Sequence, residues 1–129
     1  MEFFQPMMIL IAGPYRSGTN DDPARIALNV RKMEEVALLI YRKGHLPVLG
    51  EWLALPLIQQ AGSVETGDEV FTEMFHPVEL RLLEKCDAVL RIGGPSYGAD
   101  QMIHLGQEAG KFIFLHPQDV PDAKALVYC

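Results

Sequence analysis

Four short apolar runs, Met7–Ala12, Leu46–Leu49, Ala88–Ile92 and Phe112–His116, constrain the fold more than any other feature of the chain. Each is too short for a helix, and none alternates polar with apolar side chains, the pattern of strands covered on both faces. The segments between them are longer and helical in pattern. In "DDPARIALNVRKMEEVALLIYRKG", Asp22 is placed to cap a helix, Pro23 occupies its first position and Gly44 follows its end. Ile26, Val30, Met33, Ala37 and Ile40 form its apolar face, while Arg25, Asn29, Lys32 and Glu35 lie away from it. The next connection predicts a short helix from about Glu51 to Gln60, the polar stretch "SVETGDEV", and a helix from about Pro77 to Lys85, with Glu79 in its first turn and Leu82 and Leu83 inward. A further helix is expected to begin near Ala99 or Asp100 and to stop at Gly110, and "PQDVPDAKALVYC" allows a turn or two.

Strands alternating with helices predict an α/β fold: an open parallel sheet of four or five strands, with helices on both faces and right-handed crossovers. The expected strand order is 2-1-3-4, a Rossmann-like or flavodoxin-like arrangement. A length of 129 residues fits a single domain, residues 1–129, and 49% hydrophobic content supplies its core. The topological switch then falls between strands 1 and 3, where ligands of such sheets bind at the carboxyl ends of the strands. Those ends carry "GPYRSGTN" and "GGPSYGAD", the two most glycine-rich loops of the chain.

Charge narrows the ligand. With 11 basic and 17 acidic residues, net −6, the chain repels a polyphosphate backbone, so a nucleic acid polymer is not an expected partner. One small phosphate held locally is compatible with that balance. Cys86 and Cys129 offer neither metal-ligand spacing nor a disulfide framework, which favours a reducing cytoplasm, and no metal or cofactor is expected. The opening "MEFFQPMMILIAG" has no basic start and is interrupted by Pro6, so it reads as a first strand rather than a signal or membrane segment.

The two loops contain the parts of an anion cradle. Gly13 and Gly18 permit tight turns, Tyr15 lies between them, Arg16 supplies a bidentate cation, and Ser17 and Thr19 add hydroxyls beside a helix start. Neither the Walker lysine nor the third glycine of the dinucleotide fingerprint is present. In the second loop, Ser96 and the backbone amides at the helix start suit an anion, Gly98 allows close approach, and Tyr97 offers a ring for stacking. Each loop also has a plainer reading, as a turn with a solvated arginine or a serine cap. Phe71 and Phe75 are further aromatic candidates, His76 and Glu79 are three residues apart, and Arg91 is an unusual cation in a buried strand. "WLALPLI" holds more apolar bulk than a short surface helix needs, which points to core or to a self-association face.

"MILIAGPYRSG", followed by "ELRLLEKCDAVLRI", "PSYGADQM" and "AGKFIFL", resembles the nucleoside 2-deoxyribosyltransferase superfamily, including its deoxynucleoside 5'-monophosphate N-glycosidase branch, from about Met7 to Leu115. The resemblance implies cleavage of the bond between base and deoxyribose through a glutamate nucleophile and a covalent sugar intermediate, as in retaining glycosidases. It also implies homo-oligomers, and a homodimer or higher homo-oligomer is expected. Gly13 and Arg16 match the family's first loop. Glu79, eight residues before Asp87, falls where the family has its base-side aspartate, and Ser96 where the monophosphate branch has a phosphate-binding serine. The family's first-strand tyrosine would fall at Ile9 or Leu10 and is absent.

The nucleophile is absent as well. Six residues beyond Ser96 and nine before Lys111 stands Met102, whose thioether cannot replace a carboxylate. Asp100, at the helix start, is the best-placed substitute, although capping and interaction with the helix dipole explain it more simply. His104 and Glu108 share its side of the helix and suit a solvated face. Three functions are therefore expected in turn: a protein that binds a nucleoside or nucleotide with its N-glycosidase chemistry weakened or lost, an active enzyme using Asp100 or Glu79, or a nucleotide sensor or interaction module.

Overall fold

The first strand, β1 (Met8–Ala12), is buried along nearly its whole length, as a strand covered on both faces must be. The structure, a computed structural model, describes residues 5–123, so Cys129 and the end of the last apolar stretch lie outside it. After β1 come α1 (Pro23–Arg42), β2 (Leu46–Val48), α2 (Gly50–Gln60), α3 (Glu69–Lys85), β3 (Ala88–Arg91), α4 (Tyr97–Glu108), β4 (Phe112–Phe114) and a 3-10 turn at Pro117–Asp119. The four strands form one parallel sheet in the order β2-β1-β3-β4, as the alternation of the sequence predicts. In its register, Ile9 stands opposite Pro47 on one side and Ala88 on the other, and the Leu46 amide donates to the Met7 carbonyl over 2.9 Å.

Alternate residues of β1 enter different cores. Ile9 and Ile11 pack with Met33, Ala37 and Ile40 of α1, while Leu10 and Ala12 pack with Leu82 and Leu83 of α3 and Met102 of α4. Helices therefore cover both faces. Asp22 caps α1, accepting from the Ala24 amide at 3.0 Å, with Pro23 first in the helix. Past β4 the chain returns to α1 and β2: His45 accepts from the Met7 amide at Nδ1, its Nε2 lies 2.6 Å from the Pro121 carbonyl, and Lys43 Nζ donates to Val120 O. A neutral His45 with its proton on Nε2 satisfies both contacts.

Two helix starts differ from the expected ones. α3 begins at Glu69 instead of Pro77, because the Asp68 carboxylate caps it: Oδ1 accepts from the Phe71 amide and the Ser63 hydroxyl, and Oδ2 from the Val64 amide. These bonds hold the carboxyl down at about 2. Pro77 thus lies inside the helix, and α4 begins at Tyr97 rather than Ala99 or Asp100. The apolar run of α2 divides between core and surface: Ala54 and Ile58 pack on Phe71, while Trp52, Leu53 and Leu57 are exposed. Trp52 uses its ring N–H on Glu34 Oε2 at 2.8 Å. No helix among the described residues is long and apolar enough to cross a membrane.

Candidate functional site

The loop after β1 is held by contacts that begin in α1. Asn29 donates from Nδ2 to the Tyr15 carbonyl at 2.9 Å, pinning the turn from the helix that follows it. Arg16 forms a two-pronged ion pair with Asp21, Nε to Oδ1 at 2.8 Å and Nη2 to Oδ2 at 2.9 Å. Asn20 and Asp21 both adopt left-handed backbone, φ 52° and 58°, a conformation that Asn and Asp tolerate better than other side chains. The guanidinium also lies 5.6 Å from the centre of the Phe71 ring and beside the Gly67 backbone. Gly67 has φ 83°, a conformation that favours glycine, and a Cβ there would meet Arg16 Nη2 at 2.4 Å and displace the guanidinium. Two of the five N–H donors of Arg16 are engaged by Asp21, and the rest are available to a ligand.

Tyr15 continues into an aromatic wall. Its ring stacks on Phe75 at 5.6 Å, and Phe75 stacks on Phe71 at 5.0 Å, with all three rings nearly parallel. The aromatic side chains of α3 thus build the pocket from below the first loop. Burial raises the Tyr15 phenol above its ordinary range, and the Glu51 charge adds to the effect.

The second loop is braced by Arg91. This strand residue donates to Asp100 Oδ1 at 2.9 Å, to Gly94 O at 2.8 Å and to Ile92 O. Both groups that the sequence offers to the chemistry there, Arg91 and Asp100, are thereby joined to each other, and Asp100 lies outside the pocket lining with its carboxylate largely exposed. Ser96 caps α4, accepting from the Ala99 amide at 3.2 Å, and it also lines the pocket, where its O–H remains free to donate. Ser96→Ala is expected to lower stability by about 1 kcal/mol through loss of the cap, measurable by urea unfolding. Tyr97 points to solvent at 82% exposure, and His104 pairs with Glu108 on the outer face of α4 at 3.0 Å.

Two carboxyls face the remaining space. Glu51, in the first turn of α2 just beyond β2, is 5% exposed, and its Oε2 has no hydrogen-bond partner. Glu79 of α3 lies across from it, so close to the α2 backbone that a Cβ at Gly50 would sit 2.8 Å from Glu79 Cγ and 3.1 Å from Oε2. Burial pushes Glu51 up to about 7, and burial together with the Glu51 charge pushes Glu79 up to about 8. Met102, by contrast, is 1% exposed inside the apolar core formed by Leu10, Leu83 and Val89.

A single cavity of about 330 Å³ gathers these groups at the carboxyl ends of β1 and β3. Of the residues that the sequence singles out, it brings together Gly13, Tyr15, Arg16, Ser17, Glu79, Ser96 and Gly98, with Phe71, Phe75 and His76 beside them. Gly18, Tyr97 and Asp100 are not part of its lining. Sequence reasoning missed Glu51, whose signal is a lone charge inside the otherwise apolar "LPVLGEWLALPLI". It also left out the role of Asn29 in holding the first loop. Among the described residues no three His, Cys, Asp or Glu side chains are grouped to hold a metal ion. The Cys86 thiol is pushed up to about 11 by burial and is chemically quiet. No protein-family model matches this chain, and no curated protein matches it in sequence.

Proposed function

We propose that the chain binds a nucleoside 5'-monophosphate in this cavity, with its N-glycosidic bond set toward Glu79. The observation that carries this reading is the division of the cavity walls. Arg16, Ser17, Ser96 and the amides at the start of α4 supply donors for an anion, while Tyr15 and Phe75, stacked beside the Phe71 ring that Arg16 covers, supply an apolar aromatic wall for a planar base. Glu79 is dry enough to hold a proton at neutral pH, which suits a group facing the leaving nitrogen of a base. The volume lies within the range of small-molecule sites, and the net charge of −6 disfavours a polymer. This arrangement accords with the resemblance to the deoxyribosyltransferase superfamily. Met102 leaves the double-displacement route without its nucleophile.

Binding is testable by thermal unfolding and calorimetry with each 2'-deoxynucleoside 5'-monophosphate and the matching nucleoside. A ligand at 100 times its dissociation constant is expected to stabilise the fold by about 2.7 kcal/mol. Monophosphates should bind more tightly than nucleosides, and Arg16→Ala should reduce that preference. Absence of binding by every nucleotide and nucleoside would remove this reading.

A further inference from the structure

Glu51 lines the cavity with a buried carboxyl oxygen that has no hydrogen-bond partner. Its Oε2 is buried and unpaired, although a carboxylate at this depth is stabilised only by hydrogen bonds or an opposite charge. Arg16 is the nearby cation, and its Nε and Nη2 are turned to Asp21. Glu79 meets the backbone of Gly50, the residue immediately before Glu51, and both carboxyls line the same space. We propose that Glu51 and Glu79 form an acid–base pair that hydrolyses the N-glycosidic bond of the bound nucleotide by direct attack of water. The inference rests on the nucleotide-binding reading above and adds to it a reaction that needs no carboxylate at position 102.

The step balances within the pair. The protonated carboxyl, Glu79, gives its proton to the departing base nitrogen as the carbon–nitrogen bond breaks and its electron pair leaves with the base. Water forms the new bond to the anomeric carbon and passes a proton to ionised Glu51, which also opposes the positive charge developing on the sugar. One proton is on the pair before and after the step, and its return from Glu51 to Glu79 restores the starting state. Two dry carboxyls facing one space favour this singly protonated state, since the Glu51 charge opposes ionisation of Glu79. With the two groups raised to about 7 and about 8, the state peaks between those values. The other titratable or charged groups lining the space with the pair are Tyr15 and Arg16 from the first loop and His76 from α3.

The test uses the full chain with each 2'-deoxynucleoside 5'-monophosphate, following free base by chromatography and binding by calorimetry. The expected result is base release with a bell-shaped kcat/KM profile between about pH 7 and 8. Glu51→Gln and Glu79→Gln should each lower kcat by about 100-fold or more while retaining binding, and Glu51→Asp should recover part of the loss. A second free base added to the reaction should yield no exchanged nucleotide, because no covalent sugar intermediate forms. Binding without base release by the unaltered protein would overturn the acid–base pair and leave the binding reading standing. Absence of binding would overturn both. Undiminished kcat in Glu51→Gln, or a loss confined to KM, would overturn the role of Glu51, and formation of an exchanged nucleotide would overturn direct water attack.

Discussion

Replacing Glu51 with glutamine is expected to stabilise the protein at pH 8.5, by roughly 3 kcal/mol at 1.36 kcal/mol per pKa unit. The sign follows from the raised folded-state value. The Glu51 carboxyl titrates near 4.5 when exposed and near 7 when buried, so between those values the folded chain holds a proton that the unfolded chain has lost. The contribution of Glu51 to stability is therefore fully present below about pH 4.5 and is lost as pH rises through 7, and Glu79 extends that loss to about 8. Glutamine keeps the shape without the charge, and it removes the repulsion acting on Glu79. Urea unfolding at about pH 4 and about pH 8.5 checks this: the gain should be large at the higher pH and nearly gone at the lower. Equal destabilisation at both values would mean that Glu51 has a partner which glutamine cannot satisfy. Groups held in unfavourable surroundings often belong to a working site, and stability recovered by removing them commonly costs activity.

Met102→Glu is expected to have the opposite effect at a neighbouring place. The methionine is 1% exposed among Leu10, Leu83, Val89 and Ala99, all apolar, so an ionised carboxylate there would lack a counter-charge. An uncompensated charge of this kind destabilises by about 3 to 5 kcal/mol, and the loss should lessen as pH falls and the carboxyl takes up a proton. Met102→Leu, similar in volume and uncharged, should cost less than about 1.5 kcal/mol. Parallel denaturation curves of the two variants at pH 8 and pH 5 separate charge from packing. If the glutamate variant matched the leucine one at pH 8, the core around α4 would have to admit water or a cation.

The sheet was legible because burial on both faces leaves a plain signature, namely apolar runs without alternation, such as Ala88–Ile92. The order of the strands was read from their alternation with helices and the right-handedness of the crossovers. The start of α3 was less legible because Pro77 resembles a first helical residue. Proline at that position gives up a backbone bond, yet the capping bonds of Asp68 and the burial of Phe71 carry the helix across it. At the site, Ser96, Arg16 and Glu79 were visible as residue types on the right loops and helices. Glu51 was hidden because an acidic residue in the first turn of a helix is ordinary, and only its depth and missing partner distinguish it. Asp100 shows the reverse: a carboxylate attractive in sequence is joined to Arg91 and turned to solvent. Distances across the fold decided both, and no local pattern contains them.

Pro47 has a bearing on how the protein avoids aggregation. The Leu46 amide points inward to β1, so the next residue along the outermost strand β2 directs its backbone nitrogen outward. That residue is proline, which has no hydrogen to donate. An incoming strand from another molecule would therefore find no amide at the centre of this three-residue edge, a feature that keeps parallel sheets from growing end to end through their margins.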